Sequence, residues 1–240
     1  MSGKLKILPA ILALSAIIFN AACGSDHAKV RFVQASPDAP GLDVALDGKT
    51  VATNMAFGDV SPATGYLTIA SGTQRVEERD TGTTKDQINS TVDFGSQKTY
   101  TLLASGQVSD KSIAALLKTD DNSAPASGNV KLRVIHDAPD GRILVGQIHI
   151  DVYVVSPGTD ITNLSPNISN LAYQQASDYL ILPAATYDVI VTDSADTTKN
   201  PIIGLKNDTF AAGQIRTFVT VDVSGGGAMS GTPLVLSDLN

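Results

Sequence analysis

The sequence has few of the residues on which many functional sites depend. Its 240 residues include one cysteine, three histidines and no tryptophan. A single cysteine cannot form an internal disulfide, and the histidines lack the H-E-x-x-H and H-x-H spacings that would indicate a zinc site. The formal net charge of -7 argues against sequence-independent binding to nucleic acid, which requires basic patches. The composition therefore does not favour a disulfide scaffold, a zinc enzyme or a nucleic-acid-binding protein.

The first 22 residues have the three parts of a signal peptide. Lys4 and Lys6 form a positive region, residues 7–19 form an apolar core, and small residues follow. The apolar run ends at Asn20, which is short of the roughly 20 residues that a membrane-spanning helix needs. We therefore predict a signal peptide over residues 1–22.

The only cysteine, Cys23, directly follows Ala21 and Ala22. This segment resembles the lipobox of bacterial lipoproteins, in which the leader is cut before a cysteine whose sulfur receives diacylglycerol. Asn20 departs from that pattern, which has an aliphatic residue at this position. The resemblance implies that Cys23 is lipidated and holds the protein at a membrane, with residues 23–28 as a short polar tether. An ordinary secretory leader and an uncleaved anchor are the alternatives.

From Lys29 onward the pattern predicts strands and turns. Apolar and polar residues alternate over residues 42–46, and Asp47 and Gly48 follow at a position typical of a hairpin turn. No window of ten or more residues repeats its apolar positions at helical spacing. The chain is therefore expected to be all-β, with very little helix.

The first strand and turn of this region return about a hundred residues later. The segment "VRFVQASPDAP" at 30–40 is followed by "LRVIHDAPD" at 132–140, which matches Arg31 with Arg133. Further matches keep the same order along the chain: Asp43 with Asp151, Tyr66 with Tyr179, and Thr99 with Thr217. A repeat of this length indicates a duplicated domain rather than a short solenoid unit.

We therefore predict two tandem immunoglobulin-like antiparallel β-sandwich domains after an N-terminal lipoprotein signal peptide. The first domain covers residues 29–118 and the second covers residues 129–240. Residues 119–128 between them are polar and rich in Pro, Gly and Ser, which is typical of a linker.

The turn that opens the repeat is similar to that of a bacterial family. "VRFVQASPDAPGLDVALDG" and then "AFGDVSPATGYLTIASGT" resemble the domain-of-unknown-function family 4397, which occurs singly or in tandem in secreted proteins and lipoproteins. The second copy departs from the pattern, because residues 141–149 replace the end of its opening turn. The resemblance covers most of residues 29–238. It implies a sandwich at the cell envelope and brings no catalytic residue with it.

Recurrent acidic residues mark the turn motif of both copies. Asp38 and Asp140 follow a proline, where a short carboxylate can accept backbone N–H bonds, and Asp43 and Asp151 lie on the solvent side of a strand. A calcium site would need several oxygen ligands in one loop, and that spacing is absent. Turn capping is therefore the expected role of the motif, which comprises Ser36, Pro37, Asp38, Asp43, Pro139, Asp140 and Asp151.

A long connection in the second copy, residues 156–175, is the candidate partner-binding loop. It is longer than a tight connection between strands. Its candidate contact residues are Asn163, Leu164, Asn167, Ile168 and Tyr173. The alternative is that these side chains hold the loop on its own domain.

The sequence shows no catalytic pattern such as a G-x-S-x-G elbow, and we expect no cofactor and no metal. The preferred interpretation is a lipid-anchored envelope protein, at the outer membrane or cell surface, whose sandwiches are a structural or binding module for an envelope protein or glycan. A secreted or periplasmic protein that binds a small molecule or glycan is the alternative. A hydrolase with a site in its loops is a third hypothesis.

Overall fold

The computed structural model describes residues 26–138, 149–226 and 232–238, and within these ranges the chain forms seventeen β-strands and no helix. The all-β prediction is confirmed. None of the described residues belongs to a helix that is long and apolar enough to cross a membrane. The predicted signal peptide, Cys23, Pro139 and Asp140 lie outside the described residues.

Nine strands come from the first half of the chain. They are β1 (His27–Gln34), β2 (Leu42–Leu46), β3 (Lys49–Met55), β4 (Val60–Ser61), β5 (Leu67–Ala70), β6 (Gly72–Asp80), β7 (Asp86–Phe94), β8 (Thr99–Ser105) and β9 (Ala114–Asp120). An inner sheet has the order β4-β1-β8-β9, with β5 also paired to β1. An outer sheet has the order β3-β2-β6-β7.

Eight described strands come from the second half. They are β10 (Asn129–His136), β11 (Ile150–Val155), β12 (Ile168–Leu171), β13 (Leu180–Pro183), β14 (Thr186–Asp193), β15 (Pro201–Thr209), β16 (Ile215–Thr220) and β17 (Leu234–Ser237). The inner sheet of this half has the order β13-β10-β16-β17, and its outer sheet has the order β12-β11-β14-β15.

The strand registers show which residues of the two halves are equivalent. β1 pairs with β8 in parallel and places Arg31 opposite Thr101, while β10 pairs with β16 in parallel and places Arg133 opposite Thr217. Thr101 is therefore the counterpart of Thr217, and the sequence match of Thr99 with Thr217 is wrong by two residues. Thr99 and Thr101 are two positions apart on one strand, so they point to the same face and only strand pairing distinguishes them.

Each half buries its own core between its inner and outer sheets. Val30 and Phe32 of β1 face the first core, and Leu132 and Val134 of β10 face the second. Successive side chains of a strand point to opposite faces, so the residues between these positions face away from the core. Two packed sheets around a separate core in each half confirm the β-sandwich prediction.

The two inner sheets pack on each other across a contact that we call the seam. Val33 and Leu103 of the first half share a buried apolar cluster with Ile135 and Val219 of the second half. The molecule is therefore four sheets deep, and both inner sheets are covered on both faces.

The strand ends differ from the predicted segment limits by a few residues. β1 begins at His27, within the segment predicted as a tether, and β9 extends to Asp120, within the predicted linker. β10 begins at Asn129, where the second domain is predicted to begin. The extension of β9 matters because it carries the Asp120 side chain into the seam.

Candidate functional site

Eight polar side chains at one end of the seam pair across the two halves. Four come from each half, and each has its equivalent in the other half. We call them the reciprocal cluster, and they are Arg31, Tyr66, Thr101, Asp120, Arg133, Tyr179, Thr217 and Asp238.

Arg31 of the first half binds the end of β17 in the second half. Its Nε donates to Thr101 Oγ1 at 2.8 Å, its Nη1 donates to the Ser237 carbonyl at 2.7 Å, and its Nη2 donates to Asp238 Oδ1. The Arg31 side chain is only 2% exposed and that of Asp238 is fully buried. All three guanidinium nitrogens therefore have an acceptor inside the protein.

Arg133 of the second half makes the same contacts in the opposite direction. Its Nε donates to Thr217 Oγ1 at 3.1 Å, its Nη1 donates to the Thr119 carbonyl at 2.8 Å, and its Nη2 donates to Asp120 Oδ1 at 2.6 Å. Reciprocal contacts of this kind are those of a two-fold symmetric interface. The two halves of one chain are therefore arranged like the subunits of a symmetric dimer.

Each carboxylate of the cluster also accepts a hydrogen bond from a tyrosine. Tyr66 donates to Asp120 Oδ2 at 2.8 Å, and Tyr179 donates to Asp238 Oδ2 at 2.6 Å. The neighbouring guanidinium carbons lie 5.1 and 4.9 Å from the two ring centroids. Burial, and then the charge of the adjacent carboxylate, raises the pKa of both tyrosines, which keeps them protonated as donors.

This geometry assigns the reciprocal cluster a structural role. Buried ions lose their hydration, and only well-placed hydrogen bonds and opposite charges offset that loss. The cluster supplies both, and the carboxylates of Asp120 and Asp238 are inaccessible to solvent. The cluster therefore holds the sandwiches in one relative position and is closed to a ligand.

A second polar cluster lies at the other end of the seam, and we call it the Asp137 cluster. It consists of Ser105, Lys118, Asp137 and Gln174. Ser105 Oγ donates to Asp137 Oδ1, and Gln174 Nε2 donates to Ser105 Oγ at 3.0 Å. Lys118 Nζ donates to the Gln174 carbonyl at 2.7 Å. These contacts also join the two halves, because Ser105 and Lys118 belong to the first and the other two belong to the second.

Burial favours the neutral form of the Asp137 carboxyl group. The residue is fully buried, and its Oδ2 accepts no hydrogen bond from any residue in the described ranges. Burial raises the pKa of Asp137 to about 8, with a further rise from the nearby charge of Asp222, against which the Ser105 hydrogen bond acts. Burial also lowers the pKa of Lys118. This end of the seam therefore contains a buried acid whose pKa is raised and which has no arginine partner among the described residues.

Two open grooves run along the seam, and both halves line each of them. The Ile181 groove has a volume of about 590 Å³ and is lined by residues that include Lys118, Arg133, Tyr179 and Ile181. Ile181 is 64% exposed, which is high for a large apolar side chain. The cations of this groove already have protein partners, since Lys131 Nζ, for example, lies 2.5 Å from Asp121 Oδ2.

The Val235 groove is the counterpart of the Ile181 groove on the other side of the approximate two-fold axis. It has a volume of about 490 Å³, and its walls include Val60, Pro62 and Val235 beside Arg31. Val235 is 46% exposed. A molecule bound in either groove would contact both sandwiches.

The turn motif of the first copy caps backbone N–H groups. Asp38 accepts hydrogen bonds from the N–H groups of Val108 and Ser109 at 2.8 and 2.9 Å. Burial acts to raise the pKa of Asp38, but the hydrogen bond from the Ser109 side chain and these backbone bonds outweigh it, so that the pKa is lowered. Ser36 and Pro37 are buried at the start of the same turn. Among the described residues, no three His, Cys, Asp or Glu side chains form a group that could hold a metal ion.

Asp43 and Asp151 cap equivalent positions in the two halves. Asp43 accepts from the N–H of Asn54 at 2.8 Å, and Asp151 accepts from the N–H of Asn170 at 2.8 Å. Both asparagines have a positive φ, of 49° and 54°. Asparagine tolerates this left-handed conformation better than most residues, and the carboxylate bond stabilises it. Pro139 and Asp140, which complete the predicted motif, lie outside the described residues.

The candidate partner-binding loop is attached to its own sandwich at several points. Ile168 packs against the second core, and Asn167 Oδ1 accepts a hydrogen bond from the N–H of Val154 at 2.7 Å. The Tyr173 ring contacts the ring of His136 with centroids 6.0 Å apart.

The tip of the same loop is held by a lysine. Lys199 Nζ donates to the carbonyls of Ile161, Thr162 and Leu164 at 3.2, 3.0 and 2.6 Å. Asn163 and Leu164 are exposed at this tip. The contacts therefore fit the alternative in which the loop packs on its own domain, and binding of a partner by the exposed tip stays a prediction.

Sequence reasoning missed the carboxylates that complete the reciprocal cluster. Asp120 falls in the predicted linker, and Asp238 lies two residues before the end of the sequence. The two aspartates lie at the same register position at the end of the last described strand of each half, Asp120 as the final residue of β9 and Asp238 directly after β17. The sequence comparison matched the two arginines but not the two aspartates. It could not indicate an ion pair, because the aspartate that binds each arginine comes from the other half.

Residues 28–144 match a family model described as Domain of unknown function (DUF4397). This chain contains a DUF4397 domain. The domain covers just under half of the chain and extends through β10, so it runs past the first sandwich into the first strand of the second. A second DUF4397 copy stays a prediction. Among curated proteins, none matches the sequence.

Three solved structures align with most of the chain at low identity. A leucine-rich repeat protein from Bacteroides thetaiotaomicron aligns over 85% of this chain and 27% of its own, with 15% identity and a TM-score of 0.22. A family 26 carbohydrate-binding module from Eubacterium rectale, solved with maltoheptaose, aligns over 88% and 96% of the two chains, with 10% identity and a TM-score of 0.24.

The third structure is a streptococcal family 41 carbohydrate-binding module, from work on alpha-glucan recognition. It aligns over 87% of this chain and 96% of its own, with 10% identity and a TM-score of 0.25. This chain spans about a quarter of the length of the leucine-rich repeat protein. None of these likenesses is close enough to transfer a ligand to this chain.

Proposed function

We propose that this protein is a lipid-anchored, non-catalytic module of the bacterial cell envelope. The leader of residues 1–22 would direct export, and diacylglycerol on Cys23 would anchor the mature chain. The two sandwiches would then form a rigid body at the membrane surface that acts as a structural element or binds an envelope component.

The observation that carries the proposal is the small separation between Cys23 and a rigid pair of sandwiches. β1 begins at His27, four residues after Cys23. Four residues span at most about 14 Å. The reciprocal cluster and the apolar seam join the sandwiches, so an anchor at Cys23 would hold both of them close to the lipid headgroups.

The anchoring part of the proposal is tested at the mature N-terminus. We expect the N-terminal peptide from the membrane fraction to begin at Cys23 and to carry a diacylglycerol adduct, as seen by mass spectrometry. The Cys23→Ser variant lacks the acceptor sulfur. It should carry no adduct, and no chain cleaved before residue 23 should be found in its membrane fraction. Protease treatment of whole cells then distinguishes surface exposure from an inward location.

An unmodified mature N-terminus in the soluble fraction would contradict anchoring. That result would favour the second candidate function, a secreted or periplasmic ligand-binding protein. The observation that supports this candidate is the pair of seam grooves, of about 590 and 490 Å³, each lined by both halves.

Ligand binding is tested by thermal denaturation with a panel of envelope-derived glycans and small molecules. A ligand that binds only the folded chain raises the midpoint temperature in proportion to the logarithm of its excess over Kd. The Ile181→Glu variant should lose the rise, while Leu164→Glu, at an exposed apolar position on the loop tip, should keep it. If no compound shifts the wild-type midpoint, the structural role is favoured over ligand binding.

A further inference from the structure

The Asp137 cluster contains a nucleophile, a base and a carboxamide in one hydrogen-bonded chain. Ser105 Oγ donates to Asp137 Oδ1, and the Gln174 carboxamide contacts the same Oγ at 3.0 Å. Ser105 and Asp137 are fully buried. The contact with the carboxamide is made by its Nε2, and the hydroxyl, the carboxyl group and the carboxamide are the three groups that an acyl transfer requires.

The symmetry of the seam does not explain this chain of contacts. The registers make Ala35 the counterpart of Asp137, and Val221 the counterpart of Ser105. Both counterparts, Ala35 and Val221, are thus apolar, and they pack in the seam without a hydroxyl or a carboxyl group. The two polar groups were not needed to pack the inner sheets, so their burial calls for another explanation.

Gln174 is held in place by its backbone. Its N–H donates to the His136 carbonyl at 2.7 Å, and its carbonyl accepts from Lys118 Nζ at 2.7 Å. Its φ of 59° lies in the left-handed region, which costs free energy in a residue other than glycine. Both bonds direct its side chain across the seam toward Ser105. Groups that are already held close together lose less entropy when they react.

We propose that Ser105 and Gln174 form an intramolecular ester that links the two sandwiches covalently. The new bond joins Ser105 Oγ to Gln174 Cδ, and the bond from Cδ to Nε2 breaks. The products are the cross-linked chain and one molecule of ammonia, and no oxidant or other reactant is consumed.

Asp137 carries the proton in both steps. Its carboxylate form takes the hydroxyl proton as Ser105 Oγ attacks Cδ, and the resulting acid returns that proton to Nε2 as ammonia leaves. The starting carboxylate is thereby regenerated. The atom that now contacts Ser105 Oγ is Nε2, and a change in the torsion about the Cβ–Cγ bond of Gln174 moves Cδ toward that oxygen.

The surroundings of Asp137 suit this role. With its pKa raised to about 8, Asp137 is a stronger base than an exposed aspartate and still partly ionised near neutral pH. Ser105 and Asp137 are buried and Gln174 is partly buried, so the access of bulk water to the ester is restricted and its hydrolysis is slowed.

The experiment is mass mapping of the full mature protein after proteolysis. We expect one cross-linked pair of peptides, from the segments around Ser105 and Gln174, that is lighter than the sum of its parts by one ammonia. Hydroxylamine, which cleaves esters and spares ordinary amides, should separate the pair. Ser105→Ala and Gln174→Asn should each give unlinked peptides of full mass, and Asp137→Asn should slow or abolish the linkage.

Gln175→Asn is the matched control, because this neighbouring glutamine lines the Ile181 groove and should leave the linkage intact. Unlinked Ser105 and Gln174 peptides in the folded, aged wild-type protein would overturn the proposal. A loss of ammonia that persists in Ser105→Ala would overturn it as well, since the loss would then arise elsewhere in the chain. Far-ultraviolet circular dichroism of each variant shows that the fold is retained.

Discussion

Arg31 and Asp238 at one end of the seam are ionised partners, whereas Asp137 at the other end is a buried acid whose carboxyl group bonds to a serine. Both carboxyl groups are fully buried. Asp238 accepts hydrogen bonds from arginine, tyrosine and threonine donors. Asp137 has one hydroxyl donor, so burial dominates and its pKa rises to about 8. Two carboxyl groups that are equally buried therefore differ in the donors that surround them, an arginine at one end of the seam and a serine at the other.

The largest effect expected at a fixed pH comes from removing one arginine of the reciprocal cluster. Arg31→Met leaves Asp238 buried without its main cation, and we expect a loss of about 3–5 kcal/mol in the free energy of unfolding. Chemical denaturation measures the loss. The double variant Arg31→Met with Asp238→Leu should recover part of it, because no isolated charge then remains buried. A loss below about 1 kcal/mol in the single variant would contradict a closed ion pair at this position.

A smaller loss of stability is expected from a substitution in the apolar part of the seam, which separates the two polar ends. Leu103 is fully buried there, and Leu103→Ala should cost about 2–4 kcal/mol through lost burial and a residual cavity. The exposed Leu164 is the matched control, and Leu164→Ala should change the free energy of unfolding by less than about 0.5 kcal/mol. Equal effects at the two positions would mean that the inner sheets do not pack together in solution.

The pH dependence of stability tests the opposite end of the seam. Folded Asp137 titrates at about 8 and unfolded Asp137 near the ordinary 3.8, so between about pH 4 and 8 the folded chain binds a proton that the unfolded chain releases. The free energy of unfolding should therefore fall as the pH rises through this window, by at most about 1.4 kcal/mol per pH unit for this group. Asp137→Asn should flatten the fall.

Glu78 provides the matched control for that titration. Burial raises its pKa to about 8 as well, so its contribution has the same sign and the same window. Glu78→Gln should flatten the curve by a similar amount and leave the Asp137 contribution in place. A slope that disappears in Glu78→Gln and persists unchanged in Asp137→Asn would show that Asp137 is ionised in the folded protein.

The smallest expected effect tests the two-fold symmetry of the reciprocal cluster. Tyr66→Phe and Tyr179→Phe each remove one hydrogen bond to a buried carboxylate and keep the ring under the guanidinium group. We expect each to lower the free energy of unfolding by about 1–2 kcal/mol, and the two losses to be nearly equal. A difference of more than about 1 kcal/mol between them would show that the symmetric contacts are not energetically equivalent.

Much of the fold was predictable, because its signals are local. Alternating apolar residues such as Val30 and Phe32 indicate a strand that faces a core on one side. Arg31 lies between them and so had to face away from that core, yet the pattern could not say that another sheet covers it. A buried arginine in an alternating strand is the signal that both faces of the strand are covered.

The candidate sites were predictable only where the chemistry is local. Asp38 and Asp43 were expected to cap backbone N–H groups, and both accept such bonds in the structure. The Asp137 cluster was not expected, because Ser105 and Gln174 are 69 positions apart and come from different halves. In the sequence, Asp137 is seen only as part of the repeated turn. The burial that raises its pKa is a property of the packed seam.

The sequence by itself determined the all-β class, the repeated strand order and the match of Arg31 with Arg133, because alternation and repetition are written along the chain. Only the tertiary structure decided that Arg31 binds Asp238, which lies 207 positions away, and that Arg133 binds Asp120. The reason is physical: these pairs form where two inner sheets pack face to face, and the packing of one sheet on another depends on the shape and charge of both at once.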